Sequence, residues 1–213
     1  MMLYEIDNFG NKDDGSGIGT MQLTNGTRFD IRPALDGERP AIGMLLDGLG
    51  HDSKWNRFCG NPGDISKLWD KHSALVEAGK IREVDLVAVS DEEIIGHTMV
   101  VGRGVVDVAV AVSDRFAGQK VGTALTTAGL QVAKVRSDWA VKTDILGENR
   151  VMSHVLDTAA AVTGVIETRS IVRYGVTERC DRFVGSSAMP CSECEFSQQL
   201  GGCEIDNFTN RRL

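Results

Sequence analysis

The stretch VVDVAVAVSDRFAGQKVGTALTTAGL (residues 105–130) constrains the chain most. It starts as a strand of β-branched and small residues carrying a single acid, Asp107, and ends at Ser113. A loop with Gly118 and Gly122 follows, and a helix is predicted from Val121 to about Val135. The first turn of a helix leaves backbone N–H groups unpaired at the positive end of the dipole, so a junction of this kind can hold an anion. Glycines let the main chain approach that anion, and Gln119 and Lys120 add side-chain donors. The segment lacks the GK[ST] of a Walker loop and the GxGxxG of a dinucleotide fold. On loop physics alone, an anion cradle and plain turn chemistry stay open as readings.

The flanking pattern predicts a mixed sheet. TRFDIRP (27–33) alternates as a strand, and apolar residues recur at helical spacing through Ile42, Leu45, Leu46 and Leu49. Asp64 is the expected N-cap of a second helix that Gly79 closes, with Leu68, Trp69, His72 and Val76 as its apolar stripe. Strands are expected at Val84–Val89 and Ile94–Val101, with GRG (102–104) turning the second into Val105–Val112. After the long helix come a strand at Trp139–Ile145, a helix at Glu148–Val162, and a strand at Val165–Val172 that hairpins into Val176. The order β, α, α, β, β, β, α, β, α, β, β is not strict alternation; it predicts an α/β mixed sheet with helices on both faces.

Composition narrows the function. With 23 Lys and Arg against 30 Asp and Glu, the net charge of −7 argues against a nucleic-acid partner and suits either a cationic substrate such as an amine or plain solubility. The longest apolar runs fall short of the ~18 residues of a membrane span, so no membrane role is expected. Met1–Asn11 has neither a basic nor an apolar signal region, so a cytoplasmic protein with mostly reduced cysteines is expected.

Four motifs in register go beyond loop physics. Gln119-Lys-Val-Gly122-Thr-Ala124 resembles the Q/R-x-x-G-x-G/A signature of the GNAT N-acetyltransferases. TRFDIRPALDGE looks like that family's opening strand and turn. SKWNRFCGNPGDIS (53–66) is similar to a segment of the GNAT domains of bacterial protein-lysine acetyltransferases, and ENRVM (148–152) looks like the ENxxM that opens the helix after the fifth strand. The resemblance runs from about Thr27 to Val176 and implies the GNAT fold, a mixed, mostly antiparallel sheet whose fourth and fifth strands splay apart around the pantetheine arm of acetyl-CoA or another acyl-CoA. It implies backbone contacts to pantetheine at Val110 and Val112. Pyrophosphate contacts are implied at Gln119, Lys120, Val121, Gly122, Thr123 and Ala124, and a cofactor contact at Asn149. No metal is expected.

Asp107 stands where such lysine acetyltransferases place a glutamate base. An alkyl ammonium cannot attack a thioester, so a proton must leave, directly or through a water. A carboxylate among Val105, Val106, Val108 and Val110 is expected to be desolvated and raised in pKa; the alternative is an exposed acid on an edge strand. Two departures stand out. Lys120 replaces the central glycine of the related loops, and the stretch a few residues after Asn149, where many GNAT enzymes place a tyrosine general acid, has none, leaving Ser153 and His154 as substitutes.

The implied organisation is an N-terminal extension (1–26), an acyltransferase domain (27–178) and a tail (179–213). The tail holds Cys180, Cys191, Cys194 and Cys203, which read as a zinc site, a redox pair or unliganded thiols. EIDNF occurs at Glu5–Phe9 and again at Glu204–Phe208, as docking segments, edge strands or coincidence. The function implied is acyl transfer from acyl-CoA to a primary amine on a protein, peptide or small molecule. The alternatives are acylation of a peptide natural product from an acyl carrier protein and a non-catalytic CoA-binding module. A homodimer is a further candidate assembly.

Overall fold

The computed structural model describes residues 19–22, 26, 28–103, 105–135, 140–165, 167–173, 176–180 and 197–198. Its strands are β1 (Gly19–Gln22), β2 (Arg28–Pro33), β3 (Arg82–Ser90), β4 (Glu93–Arg103), β5 (Val105–Val112), β6 (Ala140–Leu146), β7 (Glu167–Arg173), β8 (Val176–Cys180) and β9 (Ser197–Gln198). Its helices are α1 (Arg39–Asp47), α2 (His51–Phe58), α3 (Ile65–Glu77), α4 (Val121–Val135) and α5 (Arg150–Thr163). The strands lie side by side in chain order in one sheet. Pairing is antiparallel throughout except from β5 to β6 and from β6 to β7, where α4 and α5 carry the chain back for parallel pairing.

The alternation in β5 sorts its two faces. Val106 and Val108 are buried in one core with Leu86, Ile95, Val100, Leu125, Leu130 and Val141, and Val110 and Val112 pack against it. Ala111 points the other way, into a second core with Ile42, Leu46, Leu49, Ile65 and Val87. Helix α4 is buried on nearly every side from Ala124 to Leu130, so its first turn is positioned by the core and not by surface propensity. The hydroxyls of Thr126 and Thr127 stay satisfied by donating to the carbonyls of Gly122 and Thr123.

Two elements differ from the sequence expectation. Gly19 and Thr20, assigned to the N-terminal extension, belong to β1, which pairs Gly19 to Ile31 and Gln22 to Arg28. The motif around Ser53, to which the pattern assigned no element, is part of a helix: His51–Phe58 forms α2, with none of its residues buried. A polar octet without an apolar period gives no helical signal. Its N-terminus is instead held by Asp114, which accepts from Gly50 N and from the Ser53 hydroxyl. The helix stops at Cys59, which takes a left-handed φ of 52°. The EIDNF copies and Cys191, Cys194 and Cys203 lie outside the described residues; Cys180 ends β8. Among the described residues no helix is long and apolar enough to cross a membrane.

The hairpin from β4 to β5 depends on Gly102. Its φ is +147°, and a Cβ there would stand 2.2 Å from the Val105 carbonyl oxygen. Gly102→Ala is expected to cost roughly 1–3 kcal/mol through backbone strain, read as a lower Tm and denaturation midpoint. An unchanged midpoint would show that the hairpin relaxes freely.

Candidate active site

The parallel pairing of β5 with β6 is short. It joins Val105 to Ala140, Val106 to Val141 and Asp107 to Lys142, and ends there. Meanwhile β5 stays paired to β4 as far as Val112 with Gly96, and β6 stays paired to β7 as far as Leu146 with Val172. The two strands therefore part beyond Asp107 and Lys142. Among the described residues, the edge of 108–112 that faces β6, including Val110 and Val112, has no strand partner there. A gap at the carboxyl ends of parallel strands is where an extended ligand can add its own hydrogen-bonding groups.

The loop after β5 closes one end of this gap. A 3₁₀ turn at Asp114–Phe116 leads to Gly118 at φ +74° and Lys120 at φ +68° before α4 begins. Lys120 thus adopts the conformation a glycine takes at no steric cost, at a penalty of roughly 1–2 kcal/mol, and its side chain is exposed. The backbone N–H of Gln119 bonds the Phe116 carbonyl and that of Ala124 bonds the Lys120 carbonyl. Those two expected donors are therefore used within the chain: the first by the turn, the second by the helix's own four-residue repeat. The N–H groups of Lys120, Val121, Gly122 and Thr123 have no partner among the described residues. The Gln119 amide nitrogen donates to the Arg115 carbonyl at 3.2 Å, so that side chain braces the loop. At Gly122 a Cβ would meet only Val112 Cγ2, at 3.6 Å, which leaves the first turn open on its outer side. Asn149 caps α5 at the same end of the sheet, its Oδ1 accepting from Met152 N at 3.0 Å; its amide NH₂ faces no such duty. The Ser153 hydroxyl bonds the Asn149 carbonyl, and His154 is exposed on α5.

Asp107 sits at the point where the strands separate. It is on an interior strand, not an edge, and Oδ1 is buried without a hydrogen-bond partner. Burial pushes its carboxyl up to about 6, with the Lys142 charge opposing and the Asp144 charge assisting. Lys142 Nζ donates to Asp144 Oδ2 at 3.1 Å. The Cys59 thiol at the end of α2 reaches the Asp144 carbonyl at 3.6 Å, tying the helical layer to β6.

Sequence reasoning missed a polar network on the face that carries Asp107. His72 Nε2 meets Glu83 Oε2 at 2.7 Å, and His97 Nε2 meets Asp85 Oδ1 at 2.7 Å. The Trp69 ring stacks on His72 and meets His97 edge-on, and the Arg39 guanidinium lies 4.7 Å over Trp69. The strand RE83-V-D85 places two acids on one face of an otherwise apolar segment, which was the legible signal. Burial works against charge on Glu83, but hydrogen bonds from His72 and Asp85 outweigh it and hold the carboxyl down at about 2. Burial and the Glu83 charge push Asp85 up to about 9, and burial, aided by Arg57, holds His97 down at about 3. Asp85 is therefore the protonated member of the cluster, its single O–H lying between the Glu83 carboxylate and the His97 ring.

That assignment has a test. Asp85→Asn keeps a donor and is expected to change stability by less than about 1 kcal/mol, whereas Asp85→Ala orphans a buried His97 at a cost of roughly 1–3 kcal/mol. The folded state keeps a proton that the unfolded chain releases above its ordinary pKa of 3.8, so this group's contribution falls as pH rises from there to about 9. Denaturation midpoints across pH check both points: Asp85→Asn should remove that decline.

The GNAT domain of S. lividans PAT superposes with a TM-score of 0.54 at 21% identity, over 73% of this chain and 90% of that one. The chain has the GNAT fold. An N-acetyltransferase from Staphylococcus aureus Mu50 superposes with a TM-score of 0.50 at 13% identity, over 73% of this chain and 92% of that one. No protein-family model and no curated protein matches the sequence. The expected GNAT sheet is thus present, with its splay between β5 and β6 because β1 precedes the opening strand of the motif.

Proposed function

We propose that the protein is an N-acyltransferase that moves an acetyl or other acyl group from acyl-CoA to a primary amine. One observation carries the reading: the gap between β5 and β6 opens directly beyond the buried carboxylate of Asp107 and ends at the free N–H groups of α4. Acyl-CoA has a shape to match, with an amide-bearing arm for the strand edge of 108–112 and a pyrophosphate for Lys120, Val121, Gly122 and Thr123. Val121 is buried, so it serves through its main chain. The likeness to the GNAT domain of PAT supports the same class of chemistry. The acyltransferase unit has proposed bounds 27–178, from β2 into β8 with the five helices, and β1 and β9 extend its sheet on either side.

In this reading Asp107 takes the proton of the acceptor ammonium, directly or through a water. With a carboxyl near 6 it is mostly ionised at neutral pH and still basic enough to help. The freed nitrogen lone pair attacks the thioester carbonyl carbon, the C–S bond breaks as the carbonyl re-forms, the sulfur leaves with the bonding electrons, and the second proton lost from nitrogen passes to the thiolate, directly or through solvent. A thiol of ordinary pKa about 8.5 is a sufficient leaving group without a general acid. The test is thiol release from acetyl-CoA with a panel of primary amines and lysine-containing peptides, with product masses. An acetylated amine is the expected result. CoA binding without thiol release on any acceptor would favour a binding module, and turnover only with a carrier-bound acyl group would change the donor.

A further inference from the structure

Beside Asp107 lie two charged groups that the proposed reaction has not used. Lys142 is its register partner on β6, and parallel neighbours on one face stand roughly 4.8 Å apart. Asp144, two residues on, points to that same face just inside the gap. Lys142 Nζ bonds Asp144 Oδ2, while Asp144 Oδ1, like Asp107 Oδ1, is buried without a hydrogen-bond partner. The other groups around Asp107 are few. On β4 its register partner is Val101; beyond that, on β3, Glu83 is engaged by His72 and Arg39. From α2 the Cys59 thiol holds the Asp144 carbonyl.

We propose that Lys142 and Asp144 are paired positioning residues that set the charge of Asp107, and so decide the pH range in which the enzyme can deprotonate its acceptor. The inference rests on the reading of Asp107 as the base. Two carboxylates on adjacent strands would otherwise share a proton, and the base would be blocked near neutrality. Lys142 stands next to both and prevents that. Asp144 in turn absorbs much of the Lys142 charge, so Asp107 is not turned into an ordinary strong acid too weak to take a proton. The cluster as a whole carries one negative charge, which one acceptor ammonium matches. The directions of the two charges on Asp107 agree: Lys142 lowers its carboxyl and Asp144 raises it.

The test is a ¹³C NMR titration of the Asp107 carboxyl in the full-length protein and in Lys142→Met, Lys142→Arg and Asp144→Asn, beside kcat/KM against pH with acetyl-CoA and a primary amine. Lys142→Met should move the Asp107 midpoint up by roughly one pH unit, Asp144→Asn should move it down by a similar amount, and Lys142→Arg should restore it. The acid limb of the rate profile should follow each shift. A midpoint that stays put in Lys142→Met and Asp144→Asn, with native circular dichroism, would overturn the proposal. If Lys142→Met does not fold, Asp144→Asn and Lys142→Arg still decide it. Full activity in Asp107→Asn would instead sink the base assignment, which the NMR midpoints do not depend on.

Discussion

Asp107→Asn is expected to lower kcat by roughly 10²-fold or more at neutral pH, the usual scale for removing a general base. The substitution keeps the shape of a partly buried side chain on an interior strand, so CoA binding and the Tm should persist. The wild-type rate should fall on the acid side as the carboxyl takes up its proton near pH 6, and that limb should vanish in the residual activity of the variant. Steady-state rates across pH, with CoA affinity by calorimetry, check all three points. A kcat within a factor of two of the wild type would remove Asp107 from the chemistry and turn attention to Glu148, exposed just before α5.

Gly122→Asp is expected to weaken CoA binding by roughly tenfold or more. The change adds a carboxylate at the helix N-terminus, where an incoming pyrophosphate would meet a like charge. The structure predicts little collateral damage: the new Cβ touches Val112 Cγ2 at an ordinary 3.6 Å, and an acid in the first turn of a helix is locally favourable. The fold should be as stable as before, or slightly more so, while affinity drops. Unchanged affinity by calorimetry would place the phosphates elsewhere.

Much of the architecture was legible in the residues. The run of β-branched and small residues in β5, its glycine loop and the start and end of α4 follow from local pattern, as does the Asp64 cap, whose Oδ1 accepts from Lys67 N. The identity of Asp107 as the acid of that strand was also plain, because a charge in a β-branched run has no local reason to be there. What stayed hidden needed partners distant in sequence. Helix α2 has no apolar period and takes its N-terminal support from an acid 64 residues away. The pairing of His72 with Glu83 depends on α3 reaching β3, and that of His97 with Asp85 on the register of β3 against β4, so His72 reads locally as one more core position on a stripe.

The gap itself was a tertiary decision. Nothing in VVDVAVAV or in AVKTDIL says that pairing stops after Asp107 and Lys142; both sequences would support a full ladder. The strands separate because β5 remains registered to β4 along its length and β6 to β7, while the helices that follow each strand pack into one core. The same placement brings Lys142 and Asp144 beside Asp107, from a strand 35 residues further along in the case of Lys142. Sequence determines which groups a chain owns and the period at which they repeat. Only the packed sheet determines which charges become neighbours, because burial and strand register together set the local field.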